Sequence, residues 1–123
     1  MSARQESRRF IAVGVDLGGT WIRALAITLD GGRFRSFRGR APDLAKLPEC
    51  LGQLWRQWHV TRARVAGLVV ATRGVWTLSE RQRQERRLSK VARKVSVISD
   101  AQAAYLGALG NTPGLLILAG TGS

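Results

Sequence analysis

The chain has 123 residues, 45% hydrophobic and 23% charged, which suits one domain with a single core and leaves no room for two complete lobes. The modest charge fraction and patterned apolar positions exclude a disordered tail. The longest apolar stretches, Phe10 to Val15 and Leu115 to Ala119, fall far short of the ~20 residues of a membrane-spanning helix. No apolar run of signal-peptide length follows Arg8 and Arg9, so the expected compartment is the cytoplasm. The single cysteine, Cys50, has no disulfide partner and no clustered Cys or His to build a metal cage with it; it reads as a small buried hydrophobe.

Twenty Lys and Arg against eight Asp and Glu give a net charge of +12, which raises a polyanion partner. The charge concentrates in two groups: Arg33, Arg35, Arg38 and Arg40, and the stretch from Glu80 to Lys94. No aromatic RNA-binding signature is interleaved with them. They read first as a charged sheet edge and a solvated helix face, with nucleic acid as the competing partner.

Residues 1–9 read as a disordered basic arm. Phe10 to Val15 is a near-continuous apolar run ending in Asp16-Leu17-Gly18-Gly19-Thr20, the pattern of a strand buried on both faces that stops at a glycine turn. Trp21 to Leu29 alternates, Asp30-Gly31-Gly32 is a tight-turn signal, and Arg33 to Arg40 follows. Three sequential antiparallel strands result, the third carrying arginines on both faces as an exposed edge strand does.

After Pro42-Asp43, residues Leu44, Leu47, Leu51, Leu54, Trp55 and Trp58 recur at helical spacing, predicting an amphipathic helix that His59 closes. Val65 to Ala71 is a buried strand, and Thr77-Leu78-Ser79-Glu80 is a capping box opening the basic helix, whose inward stripe includes Leu88, Val91, Ala92 and Val95. Val95 to Ser99 is a strand, Ala101 to Leu109 a small-residue helix, and Leu115 to Ala119 a last strand before Gly120-Thr121-Gly122-Ser123. The order β-β-β-α-β-α-β-α-β predicts an α/β fold: a mixed sheet, right-handed crossovers, and helices on both faces.

Three elements carry chemistry. In the first turn, glycines without Cβ let the amides of Gly18, Gly19 and Thr20 approach a phosphate, Thr20 adds a hydroxyl, and Asp16 can hold Mg²⁺ through water. A plain β-turn whose glycines only permit positive φ would carry the same residues. Gly120, Thr121, Gly122 and Ser123 form a second turn of this kind, and two such turns could grip one polyphosphate from opposite sides. Neither ends in the Gly-Lys-Ser/Thr of a Walker loop, which disfavours a P-loop enzyme. Asp100 stands after a strand and before a helix, where it can serve as an N-cap or accept a proton from a hydroxyl attacking phosphate.

Together the two turns and Asp100 resemble the N-terminal part of the sugar kinase/heat-shock protein 70/actin superfamily, with a pattern similar to the N-acetylglucosamine kinase-like group of the BadF/BadG/BcrA/BcrD ATPases. The resemblance covers Phe10 to Ser123. Val15 to Thr20 matches the first phosphate motif, Ser99 to Gly107 the connecting motif, and Gly114 to Ser123 the second phosphate motif. It implies a ribonuclease H-like lobe over residues 10–113, the start of a second lobe at 114–123, and ATP with Mg²⁺ bound between the lobes. Asp16 would then serve the metal, Gly18, Gly19 and Thr20 the γ-phosphate side, Gly120 to Ser123 the β-phosphate side, and Asp100 the hydroxyl of an amino-sugar substrate.

Two other readings compete. A BadF/BcrA-type ATPase that activates a dehydratase or reductase shares the family, but its second phosphate turn differs from Gly120-Thr121-Gly122-Ser123. A ribonuclease H-like nuclease or resolvase shares the fold and suits the charge, yet it needs several converging carboxylates, and only Asp16 and Asp100 sit at strand ends. The chain stops inside its second phosphate turn, so an isolated inactive lobe is expected. Its unpaired Leu115-Leu116-Ile117-Leu118 strand is then left disordered, folded back, or paired with a second copy of the chain.

Overall fold

In the computed structural model the described residues are 9–73 and 77–99. They form strands β1 (Ile11–Leu17), β2 (Trp21–Thr28), β3 (Arg33–Arg40), helix α1 (Leu47–Trp58), β4 (Val65–Thr72), helix α2 (Leu78–Leu88) and β5 (Val95–Ser99). Single 3-10 turns, Leu44–Lys46 and Arg62–Arg64, lead into α1 and β4. The five strands lie in the order β3-β2-β1-β4-β5. β2 runs antiparallel to both β1 and β3, whereas β4 is parallel to β1 and to β5. The predicted alternation therefore holds from β1 to β5. The expected Ala101–Leu109 helix and Leu115–Ala119 strand lie outside the described residues, as do the first eight residues of the basic arm.

β1 is central because its sequence is apolar on both sides. Ile11, Ala12 and Val13 have no exposed surface at all, which a strand achieves only with neighbours on both edges and cover on both faces. One face of the sheet carries Ile11, Val13, Val15 and Leu17 from β1, Ile22 and Ala24 from β2, Leu68 and Val70 from β4, and Val97 from β5. Against it pack Leu47, Leu51, Leu54, Trp55 and Trp58 from α1 and Leu88 from α2. Burying each large side chain contributes roughly 1.5–3 kcal/mol. Both helices occupy this face because the crossovers β3-α1-β4 and β4-α2-β5 step across the sheet in the same direction, and right-handed connections then place them together. Ala12, Val69 and Ala71 are buried on the opposite face, outside that cluster.

Local chemistry explains most boundaries. At the β2–β3 turn Gly31 adopts φ 93°, and its amide donates to the Thr28 carbonyl at 2.9 Å, so the predicted glycine turn needs a residue free of the Cβ penalty here. Thr77 caps α2 as expected, its hydroxyl accepting from the Glu80 amide at 3.1 Å. The helix is shorter than its stripe predicted: it ends at Leu88, so Val91 and Ala92 bury themselves from the following loop and Val95 belongs to β5. That loop is held by Trp55, whose indole N–H donates to the Val91 carbonyl at 2.7 Å, while its ring stacks on Trp58. Cys50 is half-buried against the core, and burial pushes its thiol pKa up, keeping it neutral.

Among the described residues both edges of the sheet are protected. β3 presents Arg33, Arg35, Arg38 and Arg40 to solvent, and on β5 the Val97 amide donates to the Glu85 carboxylate of α2 at 3.3 Å. Each device obstructs pairing with a foreign strand.

His59 ends α1 in the left-handed conformation, φ 57° and ψ 43°, a position where glycine avoids the steric cost of Cβ. His59→Gly is therefore expected to raise the unfolding free energy by about 0.5–1 kcal/mol. A thermal melt of the variant reads this as a rise of a few degrees, and a lower melting point contradicts it.

Candidate functional site

The hairpin between β1 and β2 is only three residues long, Gly18-Gly19-Thr20. The Gly18 amide closes it by donating to the Trp21 carbonyl at 2.9 Å. The Thr20 carbonyl accepts from the Ala41 amide at 2.9 Å, which ties the turn to the end of β3. Among the described residues the amides of Gly19 and Thr20 and the Thr20 hydroxyl have no partner, and both residues are exposed. They are donors free to meet an anion.

The two glycines are not explained by the fold. Gly31 is the only described glycine with positive φ, so Gly18 and Gly19 do not exploit glycine's backbone freedom, and the plain-turn reading loses its reason for them. Among the described residues a Cβ on Gly18 would meet only the Trp21 carbonyl oxygen, at 3.4 Å, and a Cβ on Gly19 would meet nothing within 4 Å. What a side chain would obstruct here is the space in front of the amides.

Asp16 lies inside β1, one residue before its last, because its pairing continues: it stands opposite Arg23 on β2 and beside Ala71 on β4. Its carboxylate is exposed and, among the described residues, unpaired. Arg23 in turn stands opposite Arg38, whose guanidinium lies 4.9 Å from the centre of the Trp21 ring. One carboxylate thus faces a row of cations at the mouth of the turn. That balance suits a polyphosphate carrying a divalent ion, since such ions keep most of their waters and need only one or two protein carboxylates. Among the described residues no three acidic, His or Cys side chains cluster as a metal cage.

Trp21 and Arg23 carry no signal in the sequence pattern, and Arg38 stands out there only as part of a basic sheet edge. Counted outward from the Gly18–Trp21 bond that closes the turn, the register sets Leu17 against Ile22 and Asp16 against Arg23.

β1, β4 and β5 end level with one another. Leu17 stands beside Thr72, and Thr72 beside Ser99. Thr72 is the buried polar residue of this row, 4% exposed. In open α/β sheets ligands gather at the carboxyl ends of the parallel strands, and here those ends adjoin the glycine turn. Asp100 follows Ser99 directly in the sequence. Asp100 itself lies outside the described residues, as do Gly120, Thr121, Gly122 and Ser123. His59 is exposed at the end of α1, and Trp55 and Trp58 are core.

No protein-family model and no curated protein matches the sequence. Solved structures do match the fold. Glucokinase from Balamuthia mandrillaris aligns with a TM-score of 0.62 and 18% identity over 80% of this chain and 32% of its own. A candidate N-acetylglucosamine kinase from Chromobacterium violaceum aligns at 0.57 and 23% identity, over 82% and 39%. A Bacteroides thetaiotaomicron protein with an actin-like ATPase fold aligns at 0.53 and 16%, over 76% and 35%. This chain spans about a third of the length of these structures. At such identities the likeness is one of fold: an α/β lobe of the actin-like ATPase type, the ribonuclease H-like architecture expected above.

The glycine analysis separates ligand from fold. Gly19→Ala is expected to leave stability within about 0.5 kcal/mol, as surface substitutions do, while weakening tripolyphosphate binding by about tenfold, the effect of losing one good hydrogen bond. Parallel melts and calorimetric titrations check both arms. A variant that binds like the parent removes the phosphate role from this turn.

Proposed function

We propose that this chain is the first phosphate-gripping lobe of an ATP-dependent sugar kinase of the N-acetylglucosamine kinase-like group, acting on an amino sugar. The observation that carries the reading is the first turn: two glycines that neither backbone conformation nor packing requires, fronted by free amides and flanked by an exposed carboxylate. The kinase and actin-like ATPase folds among the matching structures support the same class.

In this reading the Gly19 and Thr20 amides and the Thr20 hydroxyl donate to oxygens on the γ-phosphate side. Arg23 and Arg38 add positive potential along the same side of the sheet. Asp16 holds the hydrated Mg²⁺ through its waters. Bound Mg-ATP supplies the transferable phosphoryl group and the divalent charge that offsets negative charge developing on it. Asp100, following the level ends of β1, β4 and β5, accepts the proton of the attacking sugar hydroxyl. The second turn, Gly120 to Ser123, takes the β-phosphate side. The adenosine pocket belongs to a second lobe, in keeping with the one-third span of the matching chains.

Asp16→Asn in the full-length kinase is expected to abolish turnover while leaving the melting temperature unchanged, because an exposed, unpaired carboxylate contributes nothing to the core. Normal turnover by that variant at low Mg²⁺ excludes the metal role. Asp100→Asn is expected to lower kcat ~10²–10⁴-fold, since asparagine caps a helix about as well as aspartate but cannot take the proton. Unchanged kcat with hexosamine acceptors leaves only the cap. The 123-residue chain alone is expected to bind Mg-ATP with Kd well above ~1 μM and to show no turnover; calorimetry that finds tighter binding together with sugar phosphorylation refutes the two-lobed reading.

A further inference from the structure

The strands β1, β3, β4 and β5 all begin at the same end of the sheet, opposite the glycine turn. That base holds Arg9, Arg33, Arg35, Arg62, Arg64, Arg93 and Lys94, with Asp30 of the β2–β3 turn as the one carboxylate among the described residues. Asp30 is engaged locally, accepting from the Thr28 hydroxyl and, at 3.3 Å, from the Gly32 amide.

Four of these side chains and two rings make one continuous series. Arg35 and Arg64 lie 5.2 and 4.7 Å from the centre of the Phe34 ring. Arg64 Nε donates to the Arg9 carbonyl at 2.7 Å. Arg9 and Arg93 each lie 5.6 Å from the centre of the Phe10 ring. The series crosses the base from β3 to β5, four strand spacings or about 19 Å. Each ring therefore carries two guanidiniums, and among the described residues no carboxylate neutralises Arg9, Arg35, Arg64 or Arg93. Cation–π attraction of ~0.5–1 kcal/mol per exposed contact holds the planes in place. With their faces set on rings, the guanidinium edges remain to donate, in the planar fork that matches phosphate oxygens.

We infer that this base is a docking surface for the phosphate backbone of a nucleic-acid duplex, remote from the candidate phosphoryl-transfer site. A duplex fits better than a single strand, because Phe10 and Phe34 already carry arginines and offer no free platform for unpaired bases. It fits better than a lipid surface, because both phenylalanines are half-buried and Leu29 is the only large apolar side chain exposed at this end among the described residues. Binding reads charge and shape without base contacts, so it is salt-dependent and indifferent to sequence.

The test is fluorescence anisotropy of the 123-residue chain with a labelled, random-sequence DNA duplex of about 20 base pairs, titrated between ~50 and ~200 mM salt. Arg35→Gln/Arg93→Gln removes two guanidiniums that make no side-chain hydrogen bond. It is expected to weaken binding roughly 60-fold at ~0.1 M salt and to lower the slope of log K against log salt by about 1.8, or 0.9 for Arg35→Gln alone. The control Arg81→Gln/Arg83→Gln loses the same net charge from the first two turns of α2, at the opposite end of the sheet where β4 terminates, and is expected to change affinity less than ~3-fold with an unchanged slope. Equal losses in the two double variants overturn the proposal in favour of bulk charge. Absence of duplex binding by the parent at the lowest salt overturns it, as does tighter binding to phosphatidylserine-containing vesicles with the same dependence on Arg35 and Arg93.

Discussion

The lobe depends on β1 pairing in opposite senses along its two edges, antiparallel to β2 and parallel to β4. An antiparallel neighbour can be reached by a tight turn, and a parallel one only by a crossover. The first requirement places three small residues at one end of the sheet, directly after a buried strand. The second carries the chain over one face through α1 and then α2, and buries the tryptophan stripe there. Because β3, β4 and β5 all come out parallel to β1, the sheet acquires two unlike ends, one of strand termini and one of strand beginnings.

The two ends differ in chemistry as well as direction. At the strand termini the exposed carboxylate of Asp16 stands against Arg23 and Arg38 beside amides unpartnered among the described residues, the mixture on which the proposed phosphate and Mg²⁺ roles rest. At the strand beginnings the cations go almost unanswered and are braced on Phe10 and Phe34. The +12 charge of the chain is thus organised rather than spread, and the arginine-rich edge of β3 contributes to both ends: Arg38 faces the turn, while Arg33 and Arg35 face the base.

Side-chain alternation makes that division possible. A shift of one residue in the pairing of β1 with β2 would turn Asp16 toward α1 and Val15 toward solvent. The apolar residues on either side of Asp16 prevent the slip, since Val15 and Leu17 are 3% and 4% exposed only in the observed register. Core packing and the placement of the carboxylate are therefore one constraint.

Much of this was written in local pattern. The apolar run at Phe10–Val15, the Asp30-Gly31-Gly32 turn, the leucine and tryptophan spacing of α1 and the Thr77 cap each depend on neighbours a few residues apart, and each formed where the pattern placed it. So did the Asp16-to-Thr20 turn, whose residues and order were legible. Three things were settled only by the tertiary structure, because they rest on contacts between residues far apart in the chain. The length of α2 was set by the Trp55 bond to Val91, which draws the loop into the core that the helical stripe alone claimed. The φ of Gly18 and Gly19 and the room that the described residues leave around them came from the fold, since composition specifies neither. The convergence of Arg35, Arg64, Arg9 and Arg93 on two phenylalanines was set by strand order, which brings residues from 9 to 93 to a single end of the sheet through pairings that no local spacing encodes.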